Sequence, residues 1–180
     1  NPNKDDTLKK QVLDMDELQK LANTRCGNNE IKRAFLFACY TSLGLAEIRK
    51  LKWKNINKGR LITNRNKTGE LINNRLGQTA NNILGKPKDN EDFIFNIQSL
   101  SDNGANKAIR YWVKRAKIDK HITFYCARHT FACQLLINGA NLKTVADAMG
   151  HSSTKSTLKY LNHVEQLKDE AIDKIPNLIL

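Results

Sequence analysis

The chain has 180 residues, 30 of them Lys or Arg against 18 Asp or Glu, for a formal net charge of +12. That length suits one domain with a substantial core, and 40% hydrophobic residues is an ordinary share for a globular protein. The cationic surplus favours a polyanionic partner, because each Lys or Arg that neutralises a phosphate releases counterions. A spanning helix needs about 18 consecutive apolar residues, and no run approaches that; no basic amphipathic anchor for an anionic membrane surface is present either.

The opening residues, NPNKDDTLKK, are polar and contain no signal-peptide core, so residues 1–10 read as a linker to an upstream segment. Residues 11–180 then form a single folded unit. Asp14 stands three residues before Glu17, the spacing of a capping box, and Leu18 and Leu21 follow at helical spacing. A second helix is predicted over 29–40, burying Ile31, Ala34, Phe35 and Ala38. A third over 45–53 turns Ile48 and Leu51 inward.

The texture changes at residues 53–76, which are rich in Asn, Ile, Lys and Thr. Lys58-Gly59 and Thr68-Gly69 are turn pairs, so short antiparallel strands are predicted at 53–57, 60–66 and 70–76. Helices resume over 76–84, and Asp92 to Phe95 reads as a short strand or turn. A long amphipathic helix at 102–117 carries Ile109, Trp112, Val113 and Ala116 on one face. Thr123 is the expected N-cap of a helix through Ile137, with Gly139 at its C′ position. Three short helices, near 142–149, 154–162 and 164–174, are expected before an apolar tail at 175–180. The fold class is α+β, mainly helical with a small antiparallel sheet. Cys26, Cys39, Cys126 and Cys133 have neither CxxC nor Cys/His zinc spacing. They read as buried free thiols of a reducing cytoplasm, with no structural metal.

Four separated segments carry the chemistry. They are Thr41 to Trp53; Lys67-Thr68-Gly69; Thr123 to Ala132, with Arg128-His129-Thr130-Phe131-Ala132 inside it; and Gly150-His151, followed nine residues later by Tyr160. The third resembles the box HxLRHTFA, the fourth the LGH…Y box and the first the TGLRxSELxxLxW stretch of the tyrosine recombinases, the phage-type integrases. Their order and spacing match over residues 13 to about 165.

The resemblance implies the fold of that family's catalytic domain and a site-specific recombinase that cuts and rejoins double-stranded DNA through a 3′-phosphotyrosyl intermediate, without cofactor or metal. It further implies an N-terminal domain that completes a clamp around DNA, a monomer that assembles as a homotetramer on DNA, and an origin in a mobile element. The tail at 175–180 would either pack on its own domain or pass between subunits.

The residue types suit those roles. Charge on a phosphodiester spreads further in its five-coordinate transition state, so cationic donors aimed at the non-bridging oxygens stabilise that state more than the ground state. Arg128 offers a planar fork that stays charged. Tyr160 is the expected nucleophile, a phenol of ordinary pKa about 10 that must be oriented and helped to lose its proton. His151 would donate to a non-bridging oxygen or hold the tyrosine hydroxyl, while His129 buttresses the site. By resemblance Lys67 is the general acid toward the departing 5′ oxygen. Arg65, Arg75 and Lys58 are expected to bind the phosphate backbone without reading bases. His121 and His163 read as surface residues.

Two positions depart from the pattern. Gly44 stands where the first catalytic arginine is expected, which puts activity in question unless another cation fills the gap; Arg33 is the favoured substitute and Arg49 the weaker one. Tyr125 occupies the histidine slot before Arg128 and can still donate one hydrogen bond. Two further readings stay open: a recombinase fold that only binds DNA, and a helix-turn-helix regulator built on residues 142–161.

Overall fold

Asp14 caps the first helix as its spacing requires: its carboxylate accepts from the Glu17 N–H while Glu17 accepts from the Asp14 N–H. In the computed structural model, which describes residue 8 and residues 11–180, this helix is α1 (Met15–Asn23). It is followed by α2 (Asn29–Cys39), α3 (Leu45–Lys50), the strands β1 (Ile56–Asn57), β2 (Arg60–Asn64) and β3 (Leu71–Arg75), then α4 (Gln78–Leu84), α5 (Asp102–Arg115), α6 (Cys126–Ile137), α7 (Leu142–Ala148) and α8 (Leu158–Asp173). The linker predicted at 1–10 lies, apart from Leu8, outside the described residues.

The core forms around α2. Phe35 meets Trp112 of α5 and Phe124 edge-on, each at 5.8 Å between ring centres, an arrangement that suits the ring quadrupoles. The buried Trp112 indole N–H is satisfied by the Leu21 and Thr24 carbonyls, which ties the end of α1 to α5. A second apolar cluster joins Ala132 and Cys133 of α6, Val145 and Met149 at α7 and Tyr160 of α8. The four cysteines are buried and free.

The sheet is a meander, β1-β2-β3, antiparallel throughout. Lys58 and Gly59, both at positive φ, make the tight β1–β2 turn. Alternation along β2 turns Leu61 inward and Arg60 outward. Across the ladder, Leu61 pairs with Asn74 and Thr63 with Ile72. Asn74 donates to the Ala148 carbonyl, so the inner face of the hairpin leans on the end of α7.

Several boundaries differ from the expectation for tertiary reasons. The third helix stops at Lys50, because Lys52 pairs with Phe93 in a β-bridge and Trp53–Asn55 tightens into a 3-10 turn. Thr123 does not cap α6: its carbonyl accepts the Cys126 N–H in a turn, and the cap position falls to Tyr125. Gly139 does stand just past the Asn138 C-cap, at φ 98°. The two helices expected at 154–162 and 164–174 are one, α8, since no Gly or Pro interrupts it; a 3-10 turn (Lys155–Thr157) leads into it. His163, read as a surface residue, is half-buried there.

After α2 the chain turns sharply through Ser42, which takes the left-handed region at φ 68°. Ser42 is fully buried, and its hydroxyl has no hydrogen-bond partner among the described residues. Its conformation costs about 1 kcal/mol for a residue with a Cβ, and an unsatisfied buried hydroxyl costs about 1–3 kcal/mol more. Glycine would remove both at the expense of about 0.5–1 kcal/mol of chain entropy. Ser42→Gly is therefore expected to raise the free energy of urea unfolding by about 1 kcal/mol; a lower value would show that the hydroxyl supports the fold.

Candidate active site

The Ser42 turn presents its carbonyl oxygen to two guanidinium groups. Nη1 of Arg65 donates to it at 3.3 Å and Nη1 of Arg128 at 3.4 Å. Both bonds are long for N–H···O, so the oxygen holds the pair loosely. Arg65 comes from the loop just beyond β2, Arg128 from the first turn of α6. Glu47, buried on α3, supplies the counter-charge: its Oε1 lies 2.7 Å from Arg65 Nη1 and also accepts the Gly44 N–H at 2.8 Å. One carboxylate thus faces two cations. Two cations sharing one carboxylate leave a net positive charge, so this corner favours a further anion.

Arg128 continues into a relay. Its Nη2 is 2.7 Å from His151 Nε2, and His151 Nδ1 is 2.8 Å from Thr157 Oγ1. A guanidinium only donates, so Nε2 accepts and the neutral imidazole carries its proton on Nδ1, donating to Thr157. Burial, then the charges of Arg128, Arg65 and Lys159, push the His151 pKa down from 6.5 to about 4. Burial and the neighbouring Arg65 likewise work against the Arg128 charge. His151 is placed by the end of α7. Gly150 takes φ 68° as the C′ residue, its N–H bonds Asp147 and the His151 N–H reaches back to Ala146, which closes a Schellman turn.

Tyr160 lies in the first turn of α8, 1% exposed, and shares a 2.6 Å hydrogen bond with His129 Nδ1. Burial raises its pKa above the ordinary phenol value, while Arg128 and Arg65 oppose that rise. Half-exposed Tyr125 meets the His129 ring edge-on at 4.9 Å. The hydroxyl of Tyr160 is therefore held one residue away from Arg128 in sequence, on His129 rather than on the Arg128–His151 pair.

Of the residues singled out from sequence, the structure brings Arg128, His151, Tyr160 and Tyr125 together with His129. Lys67 stands exposed on the tip of the β2–β3 hairpin, and Lys58 and Arg75 are exposed on the same sheet. Arg65 is a correction. Its side chain is only 11% exposed and turns into the site, not onto the outer hairpin surface. Arg33, the favoured substitute for an arginine at position 44, is also corrected. Its guanidinium caps the end of α4 through the Ile83 and Leu84 carbonyls, pairs with Glu30 and lies over Phe95. Carbonyls at a helix C-terminus attract a cation, which explains the preference. Arg49 is committed to the Leu100 carbonyl and Asp102.

Ser42, Glu47 and the inward role of Arg65 were missed. Strand parity could have found Arg65, because it lies four residues past the buried Leu61, on the same face.

Between pH 6.5 and about 4 the unfolded chain protonates at His151 while the folded chain does not. Stability is accordingly present above pH 6.5 and declines as pH falls toward 4. Thermal unfolding across that window is expected to show a shallower decline in His151→Gln than in the unaltered chain; equal slopes would contradict a buried neutral imidazole.

Residues 11–166 match the family model described as the phage integrase family. The tyrosine recombinase XerD of Listeria innocua serovar 6a is 31% identical over 178 residues, covering 88% of this chain and 59% of that protein. The chain thus spans about three fifths of the length of this curated relative. In fold it is similar to the XerA recombinase, with a TM-score of 0.72 and 21% identity over 93% of this chain and 66% of the other. It is likewise similar to the XerH site-specific recombinase bound to its difH substrate, with a TM-score of 0.68 and 19% identity over 91% and 53%. With the match running from the first described turn to the middle of α8, the chain belongs to the phage integrase family of tyrosine recombinases.

Proposed function

We propose that residues 11–180 are the catalytic domain of a site-specific DNA recombinase, with double-stranded DNA as substrate and Tyr160 as nucleophile. The observation that carries this reading is the 2.7 Å Arg128–His151 contact, one residue along α6 from the His129 that holds the Tyr160 hydroxyl. A cation, an imidazole and a phenol are what transesterification at a phosphodiester needs in one place.

In this reaction the Tyr160 hydroxyl gives its proton to His129 Nδ1, against which it is held, as its oxygen bonds to phosphorus; the bond to the 5′ oxygen breaks, and the phosphate stays on the tyrosine as a 3′-phosphotyrosyl ester. The bond energy is kept, so resealing requires no cofactor. Arg128 donates to the non-bridging oxygens. An arriving phosphate replaces His151 as the acceptor for Arg128 Nη2, and the added negative charge favours a proton on the freed Nε2, which then donates to the phosphate. Lys67, on a hairpin tip long enough to enter a groove, protonates the departing 5′ oxygen. Tyr125, exposed beside the site, donates from the histidine slot. Lys58 and Arg75, exposed on the same sheet, engage the backbone electrostatically.

The helix-turn-helix reading is weaker. In the stretch 142–161 the second helix buries Tyr160 against α6 instead of offering a free recognition face. The tail supports assembly on DNA, as the subunit contact of a homotetramer: Ile175, Leu178, Ile179 and Leu180 are 65 to 112% exposed. Such a segment gains by docking on a neighbouring subunit.

A duplex selected by the chain from a randomised pool, then nicked near the cut so that the short product escapes, should trap a covalent protein–DNA adduct. Tyr160→Phe should give none, and Arg128→Ala should slow it by on the order of a hundredfold or more. Binding without any adduct from the unaltered chain would instead favour a DNA-binding protein that has lost catalysis. Removing residues 175–180 is expected to leave the thermal midpoint and single-site binding unchanged while abolishing higher complexes on paired sites in gel-shift titrations; unchanged assembly would exclude the tail as the subunit contact.

A further inference from the structure

The reading as a recombinase leaves one electrostatic position unaccounted for, because Gly44 brings no side chain to the phosphate. We propose that Arg65 is the second catalytic guanidinium, held by Glu47 and aimed at the scissile phosphate from the hairpin. The proposal rests on the recombinase reading above and adds a residue to that same site.

Three independent contacts support it. Arg65 and Arg128 converge on one acceptor, the Ser42 carbonyl, so an oxyanion within reach of one guanidinium is within reach of both. Position 44 and Arg65 also share an anchor. A Cβ built on Gly44 would meet Glu47 Oε1 at 3.3 Å, and that same oxygen holds Arg65 Nη1 at 2.7 Å. A long side chain starting at 44 and the one arriving from 65 therefore compete for one carboxylate. Lastly, the Arg65 stem fills the space over Gly150. A Cβ there would lie 2.7 Å from Arg65 Cγ and 3.1 Å from Cδ, directly before His151. Gly150 is what lets the stem cross the mouth of the site.

Among the described residues, only Nη1 of Arg65 has a protein partner, which leaves its Nε and Nη2 N–H groups for a ligand. The other arginines considered for this place are committed to backbone carbonyls and carboxylates elsewhere. In the reaction Arg65 stays protonated throughout. It forms and breaks no covalent bond, and it acts by matching the charge that builds on the non-bridging oxygens as the Tyr160–phosphorus bond forms. Glu47 is a positioning residue, touching Arg65 and not the substrate.

The test uses the trapped-adduct assay with two duplexes, one with an ordinary scissile phosphate and one in which a methyl group replaces one non-bridging oxygen and removes its charge. Arg65→Ala should slow adduct formation on the phosphate by on the order of a hundredfold, with DNA affinity little changed. The loss should be far smaller on the methylphosphonate, where there is less charge to match. Arg65→Lys should fall between, because it keeps the charge without the fork. Gly44→Arg combined with Arg65→Ala should recover adduct, since the new guanidinium reaches the same carboxylate. Wild-type rates in Arg65→Ala, or an equal loss on both duplexes, would overturn the catalytic role. Absence of adduct from the unaltered chain on either duplex would overturn the recombinase reading and this assignment with it.

Discussion

Two guanidinium groups held at one backbone oxygen are the constraint around which the rest of this molecule is arranged. Like charges are brought together only where something else insists on it. Here the insistence comes from Gly150, which admits the Arg65 stem, from Glu47, which pairs with it, and from the α6 framework that buries Arg128. The Ser42 carbonyl and a single carboxylate leave net positive charge in a corner that water reaches poorly. A group that develops more negative charge as it reacts gains more there than one that does not, and this differential is the source of rate. Burial, and then the same positive field, keeps His151 neutral, and the Arg128 donor fixes which of its nitrogens holds the proton.

The corner is assembled from parts distant in sequence. Ser42, Arg65, Arg128 and His151 belong to a post-helical turn, a hairpin, a helix and a helix cap, and only the packed fold brings them together. Each part has its own local cause. The turn is stored in a strained serine, the hairpin is pinned to α7 by Asn74, and the histidine is set by a Schellman turn on a left-handed glycine. Local strain at a site of this kind persists because the surrounding contacts over-determine it.

That division decides what the sequence could reveal. Amphipathic periodicity and caps were legible: α1 with its Asp14–Glu17 box, the buried stripe of α2 and the apolar face of α5 follow from residue spacing alone. Arg128, His151 and Tyr160 were legible because each lies inside a short local pattern. What escaped depended on a partner far away. The third helix ends early because Phe93 claims Lys52. Arg33 looked free to reach toward position 44, yet the carbonyl end of α4, some fifty residues on, claims its guanidinium. Arg65 looked like an outer hairpin cation until the strand's parity and the bare Gly150 backbone turned it inward.

The placement of Tyr160 follows from the same electrostatics. A buried phenol resists losing its proton, and the two guanidinium groups pull in the other direction. With its hydroxyl on His129, Tyr160 lies beside the cationic corner without using it, while Arg128 spends a donor on His151. A phosphate entering the corner competes for that donor and adds a negative charge that the site lacks. It thereby lowers the cost of holding Arg65 and Arg128 together in the same event that orients the reacting phosphorus. Under the proposed recombinase reading, that relief grows as negative charge builds on the non-bridging oxygens, so the repulsion between the two arginines favours the transition state more than the bound DNA.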